Sequence, residues 1–312
     1  MGGGGSYYDR DVTRSSNAGS QGYSQDAQEA LSNNNLDQRL LPRLRVIATE
    51  SKNPVVLILD VTGSMGRLPK TFWDKAPMVA GQIVENGYLR DPEVSLAFVG
   101  DTQSDLAPLQ ICDFSKVKDL DSWLTRGWLE GNGGGQSVES YEIMAYYYAY
   151  IAEIPKDSNP ILIITGDEGF RDKLSGSELG KHLGGRHKNI DASEVFADLK
   201  KKFKNNVFLI HRTYTGGDDA RIVGEWEEVL GEENVIRLPE DLAVADVMLG
   251  IFALATDTRT LDEYAGDMES RGQTKDRVTR VRKALEKFAA MRGKNVKVKK
   301  GAPPPIVLPD KD

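Results

Sequence analysis

The sequence predicts an α/β fold, a doubly wound, mainly parallel central sheet with helices on both faces. Three observations carry this. Short, wholly apolar runs at 55–59 and 161–164 read as strands buried on both faces. Longer stretches with helical spacing alternate with them along the chain. Each apolar run ends in a polar or glycine-rich tip, as strands do at the ligand-binding edge of an open α/β sheet.

Taken in order, residues 1–37 are rich in Gly, Ser, Asn, Gln and Asp, too polar to offset their ordering entropy, and disorder is expected. A short helix or strand over 40–49 leads into the domain, and the first strand is expected at 54–60. A helix is expected next over 69–86, with Pro77 inside it and Gly87 as its stop. The second strand is expected at 93–99 and a short edge strand at 109–114. Ser115 is placed to cap a helix that holds Val117, Leu120, Trp123 and Leu124.

A glycine loop at 131–135 precedes a Tyr- and Ala-rich helix over 140–154. The next apolar strand, 160–165, runs into Gly166-Asp167-Glu168-Gly169. A helical region at 175–204 is interrupted by Gly184-Gly185. Strands at 207–211 and 234–238 flank a helix at 220–230, and an apolar helix at 242–254 closes a domain of residues 38–257. Residues 258–293 form a charged helical extension whose Val278, Val281, Leu285, Phe288 and Met291 make one apolar stripe. That stripe suits packing on the domain or docking on a partner, with packing on the domain preferred. Residues 294–312 are a basic and then Pro-rich tail.

The totals narrow the function. A net charge of -7 argues against a general nucleic-acid binder. The single cysteine, Cys112, cannot form an intramolecular disulfide. The N-terminus has no secretory pattern and no apolar run is long enough to span a bilayer, so a cytoplasmic protein is expected.

The chemistry concentrates in three loops. Asp60, Thr62 and Ser64 come after the first apolar strand, Ser137 and Glu139 precede a helix, and Asp167, with Glu168 beside it, comes after another strand. All offer oxygen donors, which hard divalent cations such as Mg2+ or Mn2+ prefer. Asp101 and Asp105 suit either an auxiliary ion site or an ordinary turn, and the turn is preferred. The histidines, His182, His187 and His211, are scattered, and His211 reads as a structural residue at a strand end. There is no Ser-His-Asp order, P-loop or dinucleotide fingerprint.

Asp60-Val61-Thr62-Gly63-Ser64-Met65 resembles the first motif of the metal-ion-dependent adhesion site in von Willebrand factor type A domains. The resemblance covers about residues 50–257. It implies that Thr62 and Ser64 bind an ion directly, and that Asp60 and Asp167 act directly or through water. In the second loop, Gln136-Ser137-Val138-Glu139 resembles the version in which a glutamate supplies the ligand, which favours Glu139 over Ser137. In the third, Thr165-Gly166-Asp167 stands where Thr-Asp-Gly is usual. The resemblance implies a non-enzymatic binding module. An acidic residue of a protein partner would complete the ion's coordination, and MoxR-type AAA+ ATPases are one such partner class. A metal-dependent hydrolase and an RNA-binding protein are the alternatives. The hydrolase would need a general base or nucleophile near the ion. Acidic net charge counts against the RNA binder, with the basic residues of 294–300 as slight support.

Overall fold

The computed structural model describes residues 36–128 and 137–295. Residues 1–35 of the expected disordered tail, the glycine loop at 131–135 and the tail from 296 onward lie outside the described residues, whereas Asp37 is ordered and caps a 3-10 turn over Gln38–Leu40.

Seven strands form the main sheet. They are β1 (Pro54–Asp60), β2 (Glu93–Val99), β3 (Leu109–Ile111), β4 (Ser115–Lys116), β6 (Ile161–Gly166), β10 (Val207–His211) and β11 (Val235–Arg237). The order is β11-β10-β6-β1-β2-β3, with β4 also paired to β2. β1 is parallel to β2 and β6, β10 is parallel to β6 and β11, and the edge strands β3 and β4 run antiparallel to β2. Two small pairs stand apart: β5 (Val138–Glu139) with β7 (Gly169–Phe170), and β8 (Lys173–Leu174) with β9 (Ile190–Asp191).

β1 shows why the fold is doubly wound. Every residue of the strand is buried. Successive side chains point to opposite faces, so Val55, Leu57 and Leu59 join one apolar layer, and Val56 and Ile58 join the other. The first layer is covered by α1 (Leu68–Glu85), and across it by α7 (Val244–Ala255). The second is covered by α3 (Tyr141–Tyr146), α5 (Ala192–Lys202) and α6 (Asp219–Leu230). The short helices α2 (Leu120–Leu124) and α4 (Gly176–Leu183) complete these layers.

Local chemistry explains most boundaries. α1 starts with Pro69 in its first turn and carries Pro77 inside. α4 is capped by Ser175, whose Oγ accepts from the Glu178 amide, and ends at Gly184 with φ of 80°. The helix expected at 140–154 is α-helical only to Tyr146. Tyr147–Ile151 widens into a π-turn, closed by the Ala152 amide donating to the Tyr147 carbonyl at 2.9 Å. Ser115 does not cap a helix. It lies in β4, opposite Val94, and its buried Oγ has no hydrogen-bond partner. A 3-10 turn over Val117–Asp119 leads into α2 instead.

The C-terminal stretch divides into α8 (Leu261–Ser270) and α9 (Lys275–Asn295). A capping box of Thr260 and Glu263 starts α8. Val278, Val281, Leu285 and Phe288 are buried against the domain, and the Phe288 ring meets Phe208 of β10 edge-on at 4.8 Å. The apolar stripe thus packs on the chain's own core, except Met291, which is exposed. Among the described residues, no helix is long and apolar enough to cross a membrane.

Candidate functional site

In the order β3-β2-β1-β6-β10-β11 the chain winds outward in both directions from the β1–β6 pair. A crevice forms beyond the carboxyl ends of such a central pair. β1 ends there with Asp60, and β6 ends one residue before Asp167.

Four of the expected residues meet in a chain of oxygen atoms. Asp60 Oδ1 accepts from the Thr62 amide at 2.8 Å and from Thr62 Oγ1 at 2.6 Å. Thr62 Oγ1 lies 3.2 Å from Ser64 Oγ. Ser64 Oγ donates to Asp167 Oδ1 at 2.8 Å. The 3-10 turn Gly63–Met65 directs Ser64 back toward Asp167, and Gly66 releases the chain from it with φ of 54°.

Glu139 and Ser137 separate. Glu139 lies in β5, opposite Phe170 of β7, and is 1% exposed. Its carboxyl is a close electrostatic neighbour of that of Glu168. Ser137 Oγ accepts from Arg221 at 3.0 Å instead, and its carbonyl accepts the Gly169 amide. The Ser137 hydroxyl is therefore not joined to the Asp60–Asp167 chain.

Three residues extend the set beyond the motif residues. Tyr141, in the first turn of α3, donates its hydroxyl to Asp60 Oδ2. Gly166 makes this possible, because a Cβ there would lie 2.2 Å from the Tyr141 oxygen. The order Thr165-Gly166-Asp167 thus has a physical reason: the position before Asp167 must be bare for the tyrosine to pass. Arg212, just after β10, donates to the Ser64 carbonyl at 3.0 Å and to Asp241 at 3.0 Å, and its guanidinium stands 3.6 Å from Asp167. Glu168 closes the carboxyl group. Position in the chain is the signal that could have found the first two. Tyr141 opens the helix next after Glu139, and Arg212 is the first residue past β10, at the same sheet edge as Asp167.

The electrostatics are unbalanced. Asp60, Glu139, Asp167 and Glu168 are all buried. Burial, reinforced by the charge of Asp167, raises the Asp60 pKa, although Thr62 and Tyr141 oppose it. Burial, then Asp60 and Glu168, pushes Glu139 up strongly. Burial also raises Glu168, and it raises Asp167 against the pull of Ser64 and Arg212. Oε2 of Glu139 and Oε2 of Glu168 are buried with no hydrogen-bond partner. Buried acceptors of this kind are costly unless a proton or a cation satisfies them.

This donor set fits a hard divalent cation, with hydroxyls as neutral ligands and carboxylates supplying charge. The fit depends on those hydroxyls. Among the described residues, no three His, Cys, Asp or Glu side chains are grouped so as to hold a metal ion by themselves.

Asp101 and Asp105 form a turn. Asp105 Oδ2 accepts the Asp101 amide at 2.8 Å, and Asp101 pairs with Arg171 at 2.5 Å. Arg171 also donates to Ser140 Oγ at 3.1 Å and lies 4.0 Å from Glu142. Glu142 is fully buried, and burial pushes its carboxyl up to about 8. His211 is buried, with Nε2 on Asp219 Oδ1 at 2.7 Å.

No protein-family model matches this chain, and comparison with curated proteins finds no match. Among solved structures, two crystal structures of the pilus adhesin SpaC from Lactobacillus rhamnosus GG are similar in outline, each at 10% identity. One has a TM-score of 0.46 and covers 67% of this chain. The other, an open conformation, has a TM-score of 0.45 and covers 68% of it. The matched region spans 31% of the adhesin chain in both.

Proposed function

We propose that this chain is a non-enzymatic binding module of the von Willebrand factor type A kind. In this reading Asp60, Thr62, Ser64 and Asp167, with Glu139 beside them, hold Mg2+ or Mn2+. The observation that carries it is the run of oxygen atoms from Asp60 through Thr62 and Ser64 to Asp167, set at the centre of the sheet edge. The buried carboxyls around it, short of positive charge, support the same reading.

When bound, the ion supplies an electrophilic coordination position that an acidic side chain of a protein partner fills. This chain's residues do the rest. Thr62 and Ser64 contribute uncharged oxygens, Tyr141 fixes the Asp60 carboxylate, and Arg212 holds the Ser64 backbone. Ser137, whose hydroxyl Arg221 engages, is a poorer ligand than Glu139. An AAA+ ATPase of the MoxR type is the partner class that the motif resemblance suggests. His211, the imidazole at the end of β10, is engaged by Asp219, which leaves the hydrolase reading without an evident base there.

Calorimetric titration with Mg2+ and Mn2+ tests the site, with saturable binding expected for the natural chain and none for Asp60→Ala. Absence of binding by the natural chain would overturn the reading. Affinity capture in Mg2+ against chelator then tests recognition. A partner set that chelator leaves unchanged would remove metal-dependent docking.

A further inference from the structure

The edge of the sheet opposite β3 carries a groove unconnected with the candidate ion site. β11 is the last strand there, hydrogen-bonded to β10 on one side. A groove of about 300 Å3 runs beside it, and its lining includes Val235, Pro239, Arg280, Lys283, Ala284 and Lys287. The α9 contributors recur at helical spacing, so they form a second face of that helix, distinct from the buried stripe of Val278, Val281, Leu285 and Phe288. Its apolar members are Val235, Pro239 and Ala284, and its charged ones are mostly cationic, with Glu227 the one acid among them. Arg280 and Lys287 are engaged by Glu240 and Glu232. Lys283 is exposed and makes no ion pair among the described residues.

The sequence after α9 has the matching chemistry. Residues 306–308 are Ile306-Val307-Leu308, a compact apolar run set between prolines, with Asp310 shortly after it. The reach also fits. Ala284 lies back from Asn295, the last residue of α9, by ~17 Å at ~1.5 Å per helical residue. Residues 296–305 can span up to ~31 Å at ~3.1 Å per residue in an extended proline-rich conformation. The run can therefore return to the groove on the helix from which it departs, with slack for the reversal.

We propose that Ile306-Val307-Leu308 docks in this groove of the same chain, with Asp310 against Lys283. Tethering makes the contact intramolecular, so a modest apolar surface suffices where a free peptide would bind weakly.

Cysteine pairing in the full chain tests this. Ala284→Cys with Val307→Cys should form an intramolecular disulfide under mild oxidation, in at least ~10-fold higher yield than Ser177→Cys with Val307→Cys, since Ser177 lies on α4, away from the groove. Adding Leu308→Asp should reduce that yield several-fold. Mass spectrometry of peptides from gel-separated monomer and dimer reads both results. Equal yields in the two pairs, no effect of Leu308→Asp, or cross-linking mainly between chains would each overturn the proposal.

Discussion

The Tyr141 hydroxyl reaches Asp60 through a space that exists only because residue 166 is glycine. β6 brings Gly166 beside the tyrosine, and a methyl group there would overlap its oxygen. Gly166→Ala should force the ring away and strand a buried carboxylate oxygen. Overpacking of this kind costs ~1–3 kcal/mol. Tyr141→Phe removes the donor without the clash and should cost ~1–3 kcal/mol, for the unpaired oxygen. Urea denaturation of both variants checks the pair. If Gly166→Ala were as stable as the natural chain, the steric argument would fail.

Glu139→Gln should act with opposite sign in two conditions. Burial and neighbouring carboxyls push Glu139 up, so it carries a proton at neutral pH in the absence of a cation. Glutamine imitates that protonated form, and in chelator the variant should match the natural chain or exceed it in thermal stability. In Mg2+ the natural chain should gain ~2.7 kcal/mol at an ion concentration of about 100 times Kd, and the variant clearly less. Thermal melts with and without Mg2+ decide it. A variant that loses stability in chelator would show that charged Glu139 is needed by the fold itself.

His211 makes stability depend on mild acidity. Burial pushes its pKa below the ordinary value, partly offset by Asp219, and its Nδ1 is buried without a partner. The unfolded chain takes up the proton near pH ~6.5, while the folded chain resists it to lower pH. This contribution is therefore fully present above that value and is lost as pH falls toward the folded pKa. The slope approaches ~1.4 kcal/mol per pH unit for one proton. His211→Gln should flatten the stability profile below about pH 6.5. A profile unchanged by the substitution would assign the acid sensitivity elsewhere.

Phe288 makes the C-terminal helix part of the core. Its ring meets Phe208 of β10 and is 4% exposed. Phe288→Ala should destabilise the whole domain by ~3–5 kcal/mol, in one cooperative transition. Two separate transitions in calorimetry would instead make α8 and α9 an independent unit.

The strands were the most legible part of the sequence. Val55 to Leu59 and Ile161 to Ile164 are apolar on both faces because helices cover both faces, and periodicity reports burial directly. That Asp60, Thr62 and Ser64 meet was legible for a local reason: polar residues two apart, just past the end of one buried strand, stay close together. Side-chain destinations were not legible. Ser137 and Glu139 are two apart, yet one meets Arg221 and the other Glu168, and nothing in the spacing of two nearby polar residues says which partner each will find. Ser115 had the right identity for a cap, but pairing with β2 took its backbone first. Arg212 sits in a loop with no motif, and only the sheet order brings it to Ser64.

The Arg212 contacts also bear on when the site can form during synthesis. Its bond to the Ser64 carbonyl joins positions 148 residues apart, and the Ser64–Asp167 bond joins positions 103 apart. β1 emerges first, yet β6, its neighbour at the crevice, appears only after β2 and β3. Until then the acidic tip of β1 stays hydrated, at no electrostatic cost. Crowding of the carboxyls therefore needs β6 beside β1, and Arg212 reaches the same loops only once β10 has followed. A nascent chain halted before residue 207 would carry the acidic tips of both strands but not the arginine that clasps their loops.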